Sequence, residues 1–471
     1  MLQSLKDLLR NIIHPLAIPL GYLGALWLFA TSILSRAQLG MYVLVAMIPL
    51  PTIYYQFHPY PFGKDFIDLL YFCVLLGILV HKGGFDRSRS GTLLLLFVVT
   101  NYIALWYASL NFGLPYPITT DNELLRDWKN YAEMICLYFL AHNSIKQEEQ
   151  QQALVTVIAC VMLFICAREF RNFSQGGAFS YDRRVEGPFW IVGLGANHMG
   201  AFVAHYCSAL LGIVLVDANK VRRRLYLAAM LFGLHPLFFT YSRGAYMGVL
   251  AAIVFFGLVK KRSLLVFVVA LAIVWQTVLP TTVVERITMT EEAPGQLEGS
   301  VAKRVELWEH AVGVFKANPV FGVGFGAFGH TLPPGAFEGL TDTHNFYLRM
   351  ASEQGVIGIA FFVVVLLAAF RSGWSLFRAG RTEFQRGLGL GFMGCVVAAT
   401  VTNMFGDRWS YLVLGAYFFV FWGLVDRAIL LSTAAPEKSV QSSLAPGIAH
   451  ASLLPDPTQT RSSPSQTSHR T

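Results

Sequence analysis

Thirteen apolar runs set the limits on what this chain can fold into. They fall near residues 16 to 34, 39 to 57, 65 to 81, 91 to 110, 130 to 143, 153 to 168, 196 to 217, 224 to 241, 244 to 259, 263 to 281, 346 to 370, 387 to 406 and 409 to 427. A helix crosses a bilayer with roughly 17 to 25 apolar residues, because lipid offers no partner to a backbone N–H or C=O group. With 55% hydrophobic residues, 14% charged residues and a mean hydropathy of +0.51, the chain leaves no room for a separate soluble domain. The expected fold is an all-α polytopic membrane protein of about 12 to 13 transmembrane helices with one large insertion. The fifth run is short enough to be half-inserted.

This reading divides the chain into an N-terminal bundle over residues 1–281, an insertion over 282–345, C-terminal helices over 346–427 and a tail over 428–471. The tail turns Ser-, Pro- and Thr-rich, lacks apolar periodicity and is expected to be disordered. No small-residue cleavage site follows Met1 to Lys6, so the N-terminal segment is expected to be retained. The six cysteines (Cys73, Cys136, Cys160, Cys166, Cys207 and Cys395) all lie in apolar segments, which reads as small buried hydrophobes and not as a disulfide framework or zinc site.

Lysine and arginine gather at alternate connections: Lys82, Arg87 and Arg89; Lys146; Lys220 and Arg222 to Arg224; Lys260 to Arg262; Arg371, Arg378, Arg381 and Arg386. By the positive-inside rule these loops and the C-terminal tail are cytoplasmic. Parity fails only at the front, where Lys6 and Arg10 would lie outside. An irregular or re-entrant first segment, helped by Pro15, Pro19, Pro49 and Pro51, is the expected reason.

The outward connections then carry Arg168, Arg171, Arg183, Arg184, Arg243, His344 and Arg408, cations on the side where few belong. Arg243 is the sharpest case. It sits in Tyr241-Ser242-Arg243-Gly244 between two apolar runs, in a connection too short to be a free loop. Arginine near the hydrocarbon costs roughly 2.5 to 3.5 kcal/mol on insertion scales, so it needs an anionic partner or a structural task such as capping helix ends. Its planar fork suits a phosphate or carboxylate. Arg183 and Arg184 read equally well as solvated loop charges, and Asp407-Arg408-Trp409 as an interfacial anchor. Arg349 and Glu353, four apart on a helix, are expected to pair with each other.

Within the insertion, Val301, Val305, Trp308, Val312 and Phe315 recur at helical spacing, predicting an amphipathic helix over about residues 300–317 that ends at Asn318-Pro319. Such a helix would lie on the membrane surface or close over a cavity. Glu306 and Glu309 are most simply its solvated face. The run Phe321 to Gly329 is glycine-rich but lacks the Lys-Ser/Thr of a phosphate loop, so a tight, close-packed turn is expected. Asp342-Thr343-His344-Asn345 ends where the next apolar run begins. A histidine at a helix N-terminus is held neutral by the dipole and can accept a proton, although a capping or packing role is also open to it.

Together, Arg184-Val185-Glu186-Gly187-Pro188 with Asn197-His198, Ser242-Arg243-Gly244, Arg304 to Trp308 leading to Asn318-Pro319 and Gly322 to Gly326, and His344 to Leu348 with Glu353 to Gly358 resemble the bacterial O-antigen ligase and O-antigen polymerase superfamily. The resemblance covers about residues 180 to 425. It implies a GT-C-like, multi-pass glycosyltransferase of the inner membrane with a periplasmic active site. Such enzymes pass a glycan from undecaprenyl diphosphate to a hydroxyl on lipid A core, a growing polysaccharide or a protein. Arg184 and Arg243 would grip the diphosphate and His344 would be the base, with Arg183, Arg168, Asn197, Asp342 and Arg408 as further candidates. No cofactor, metal, nucleotide sugar or nucleic acid is implied. Direct in-line attack would invert the anomeric carbon. An O-antigen ligase of lipopolysaccharide biosynthesis is the leading expectation. A polymerase of the same superfamily and a transporter that moves lipid-linked glycan without chemistry are the alternatives.

Overall fold

The computed structural model describes residues 19–174, 183–288, 291–293, 296–297, 299–334 and 342–433. Its helices are α1 (Pro19–Leu34), α2 (Ala37–Met47), α3 (Pro51–Tyr54), α4 (Phe66–Lys82), α5 (Arg89–Phe112), α6 (Glu123–Ser144), α7 (Glu148–Ser174), α8 (Ala196–Val214), α9 (Lys220–Phe239), α10 (Arg243–Val259), α11 (Ser263–Val278), α12 (Thr281–Thr288), α13 (Gly299–Ala317), α14 (Phe346–Ala379), α15 (Glu383–Thr402) and α16 (Leu412–Thr433). A hairpin of β1 (Glu291–Ala293) and β2 (Gln296–Leu297) is the one sheet among the described residues. The tail expected from residue 428 begins inside α16, and its remainder lies outside the described residues.

The molecule is an all-α polytopic membrane protein. Helices α5, α7, α14, α15 and α16 are each long and apolar enough to cross a bilayer, and the bent pairs α2–α3 and α11–α12 bring the number to 7. Helices α1 and α10 are apolar but shorter. The other expected spans fall on α4, α6, α8 and α9, which are short or carry polar residues. Helix α11 makes the membrane argument best: it buries none of its residues, and Val266, Val269 and Ile273 stand 60% or more exposed. A helix apolar on every face is stable only where lipid covers it. Cys160, expected to be buried, likewise stands exposed on α7, while Cys73, Cys166 and Cys395 are buried.

The basic loops meet at one end. Lys82 donates to Asn143 at 2.9 Å, Arg222 to Gln152 at 2.6 Å and Thr382 to Glu148 at 2.9 Å. The α1–α2 turn lies there too, since Gln150 donates to Gln38 at 2.9 Å, whereas Tyr22 near the start of α1 donates to the Pro61 carbonyl at 2.8 Å. Over its described length α1 is therefore a regular helix running toward the basic end. Lys6, Arg10 and Pro15 lie outside the described residues; among the described ones an irregularity sits in the second segment, where α2 and α3 meet at 98°. Leu50, forced out of the helical region ahead of Pro51, makes the break.

The break that organises the rest lies inside α14. Gly355 has φ 64 and ψ −159, so the carbonyls of Ser352 and Glu353 lose their helical donors. The loop after α13 replaces them: Val323 donates to Ser352 at 3.0 Å and Gly324 to Glu353 at 2.7 Å, while Val356 donates back to Pro319 at 2.8 Å. Irregular backbone survives at membrane depth only when its polar groups are met in this way. Glycine is required because the strands of chain touch: a Cβ on Gly322 would lie 2.3 Å from the Glu353 carbonyl carbon, and one on Gly355 2.3 Å from the Val320 oxygen. The expected tight turn is thus a plug in a broken helix.

Helix α13 packs differently from the sequence expectation. Its buried side chains are Leu307 and Ala311, against Phe328, while Val312 of the predicted apolar stripe is 36% exposed. The valine stripe lost because Phe328 follows the glycine turn and approaches from the other side.

Gly355→Ala should lower stability by roughly 1 to 3 kcal/mol from the left-handed backbone alone. Gly84→Ala, which meets nothing within 4 Å, should change it by about 0.5 kcal/mol or less. Thermal unfolding of the two variants in detergent measures the contrast.

Candidate active site

The first turn of α8 is the centre of the site. Gly195 leads in with an extended backbone, and Asn197 and His198 follow side by side. Each holds one arginine from a distant part of the chain. Asn197 Oδ1 accepts from Arg184 Nη2 at 2.8 Å, and the Arg184 Nε and Nη2 groups also donate to the Thr240 carbonyl at 2.8 and 2.6 Å. Val185 N–H donates to Phe239 at 3.0 Å, so the segment carrying Arg184 is pinned to the corner between α9 and α10.

That corner delivers Arg243. It is the first residue of α10 and half-buried, placed where a helix N-terminus adds its own positive field. Gly200 of α8 closes the corner from below: a Cβ there would lie 2.9 Å from Thr240 Oγ1 and Ala245 Cβ. Gly244 lets the loop after α15 approach, since its Cβ would lie 2.7 Å from Phe405 Cβ.

His198 holds the second arginine. Its Nε2 accepts from Arg408 Nη1 at 2.7 Å, which places the imidazole proton on Nδ1, because a guanidinium can only donate. Arg408 is 6% exposed, and its backbone N–H donates to Asn403 Oδ1 at 3.0 Å. The sequence suggested that Asp407 and Arg408 form a simple anchoring pair. Instead the fully buried Asp407 carboxylate accepts from Arg349, and its other oxygen accepts the N–H groups of Trp409 and Ser410 at 3.0 Å. Arg349 does pair with Glu353, at 3.1 Å, and Glu353 accepts from the Gly326 N–H at 2.9 Å. A line of buried charge therefore runs from the glycine plug to the residue beside Arg408.

His344 completes the set. Asn345 caps α14 by accepting from Tyr347 and Leu348 at 3.0 and 3.2 Å, which leaves His344 in the turn just outside, at φ 48. The turn is closed by the His344 N–H donating to Asp342 Oδ1, and His344 Nδ1 stands 3.4 Å from the same oxygen. Trp308 of α13 ties the turn from outside by donating to the Thr343 carbonyl at 2.9 Å. Burial lowers the His344 pKa below the ordinary histidine value; Arg304 and Arg408 add to this, and Asp342 and Asp407 oppose it without prevailing. Burial and the two arginines favour the neutral imidazole.

Arg184, Asn197, Arg243, Asp342, His344 and Arg408 thus gather around one end of α8 and its neighbours. Of the other candidates, Arg168 donates to Thr52 Oγ1 at 3.0 Å, and the Arg183 guanidinium lies 5.6 Å from the Phe173 ring centre. His198, Arg304 and Arg349 belong to the constellation although the sequence reading assigned them no role there. Only the Asn197-His198 pair and Arg304 had a signal, as members of quoted motifs. Among the described residues, no three His, Cys, Asp or Glu side chains stand together as a metal site.

Arg349→Leu would leave Asp407 and Glu353 buried without their cation and should cost roughly 3 to 5 kcal/mol. Glu353→Gln keeps an acceptor for Gly326 and should cost clearly less. Thermal unfolding in detergent again reads the difference.

Residues 225–363 match the family described as O-antigen ligase. No curated protein matches the chain.

Proposed function

We propose, from the match of residues 225–363 to the O-antigen ligase family, that the chain is a membrane glycosyltransferase of the O-antigen ligase and polymerase superfamily and moves a glycan from undecaprenyl diphosphate to an acceptor hydroxyl. The observation that carries the proposal is the first turn of α8, where neighbouring residues hold Arg184 and Arg408, with Arg243 at the adjoining corner and His344 within the field of Arg408. Concentrated guanidinium charge is what a diphosphate requires, both on binding and when it departs with additional negative charge.

In the proposed step the acceptor oxygen attacks the anomeric carbon as the bond from that carbon to the diphosphate oxygen breaks. The hydroxyl proton passes to His344 Nε2, since Nδ1 faces Asp342. Undecaprenyl diphosphate leaves toward the arginines, which supply the charge stabilisation without a metal. In-line attack of this kind inverts the anomeric carbon. The site end faces the periplasm of the inner membrane in this reading, because the opposite end gathers the lysine and arginine loops and would lie in the cytoplasm with the C-terminus. The acceptor is lipid A core, which makes the chain an O-antigen ligase. A second lipid-linked repeat unit would make it a polymerase, and assays with each acceptor on one preparation separate the two. A transporter without chemistry is less well supported, because the charged residues gather at one end and not at the midplane.

His344→Ala should lower turnover by roughly 10² to 10⁴ while donor affinity persists. Arg243→Ala should weaken donor binding as well as turnover. Full activity in either variant contradicts the role of that residue. Because the His344 pKa is lowered, the rate should hold as pH falls through about 6.5, the usual histidine value, and drop only below it. Arg304→Gln removes a cation that depresses the pKa and should move the drop to higher pH. Asp342→Asn should move it lower. A pH–rate profile of the three proteins checks the order.

A further inference from the structure

Helix α13 has one face sealed and one face open. Leu307 and Ala311 are buried against Phe328, whereas Val305, Trp308, Glu309, Val312, Gly313 and Lys316 line an open groove of about 430 Å³. Gly313 forms part of the lining, and a Cβ there would meet nothing within 4 Å. The groove is coupled to the site by a short link: the indole N–H of Trp308 donates at 2.9 Å to the carbonyl of Thr343, the residue before His344.

Resting on the function proposed above, we propose that this groove is the acceptor subsite and that it takes the saccharide part of the acceptor. A hydrocarbon chain could use Val305, Val312 and the indole, but it would leave the Glu309 carboxylate and Lys316 ammonium on the same face without polar partners. A sugar ring offers both kinds of surface. Its C–H faces pack on an aromatic side chain and on valine, and its hydroxyls donate to a carboxylate and accept from an ammonium. The volume lies within the roughly 300 to 1,000 Å³ usual for sites of small polar ligands. A glycan seated here lies beside the turn that carries His344, which brings its hydroxyls near the base. Trp308 would then both line the acceptor site and fix the position of the turn.

The experiment uses the full chain in nanodiscs, with delipidated core oligosaccharide as the probe in saturation-transfer NMR and the matching lipid A core as acceptor in the transfer assay. Gly313→Leu fills the groove without touching the protein and should raise the acceptor KM at least tenfold while the donor KM stays within twofold. It should also abolish the oligosaccharide signal. Trp308→Ala should do the same, and Trp308→Phe, which keeps an aromatic ring but loses the tie to Thr343, should lower kcat more than it raises KM. Unchanged oligosaccharide binding and acceptor KM in Gly313→Leu would overturn the proposal. So would quenching, by brominated acyl chains, of the fluorescence difference between wild type and Trp308→Phe, because the open face would then lie in lipid. The NMR arm needs no turnover, so it tests the groove even if the transfer reaction itself is absent, and that absence would count against the proposed function alone.

Discussion

The buried charges beside Arg408 depend on the break in α14. A helix interrupted at Gly355 exposes two carbonyls and at least one N–H group that lipid cannot satisfy. The loop from Pro319 to Gly326 enters to meet them, and in doing so anchors the C-terminal side of the long insertion to the bundle. The same contact seats Glu353 on the Gly326 N–H, Arg349 on Glu353, and Asp407 on Arg349. A defect in the helix thereby becomes a fixed position for the loop that carries Arg408 and for the helix cap that carries His344.

Holding several guanidinium groups close together is costly, and the fold sets neutral acceptors against Arg184 and Arg408 and carboxylates against Arg349. Arg184 is held by an amide oxygen and a carbonyl, and Arg408 by an imidazole nitrogen and carbonyls. Burial is the main cause of the lowered His344 pKa, and Arg408, part of the same arginine group, adds to it. Asp407, the carboxylate nearest this group in sequence, is turned away to Arg349.

Much of this was legible in the sequence because it depends on local rules. Apolar run length located the helices, lysine and arginine spacing separated the two ends, and the mismatch between Arg243 and its apolar flanks marked the corner between α9 and α10. Glycine density in residues 322 to 326 announced a tight turn. Its purpose was hidden, because the partner is a carbonyl of α14 exposed by a single backbone angle at Gly355. His198 and Arg408 are 210 residues apart, and no spacing rule joins them. The apolar stripe of α13 misled because periodicity counts valines without knowing that Phe328 approaches from the Leu307 side. Arg168 and Arg183 look identical to Arg184 in sequence. They differ only in what the fold sets beside them.

The central claim is that the arginine-rich end of this molecule breaks a glycosyl–diphosphate bond. Reconstituting the purified chain in proteoliposomes with undecaprenyl-diphosphate-linked glycan and lipid A core, and following both lipid products by mass spectrometry, tests it most directly. The account predicts a glycosylated acceptor and free undecaprenyl diphosphate in equal amounts. Intact donor redistributed across the bilayer, with no free diphosphate, would contradict it.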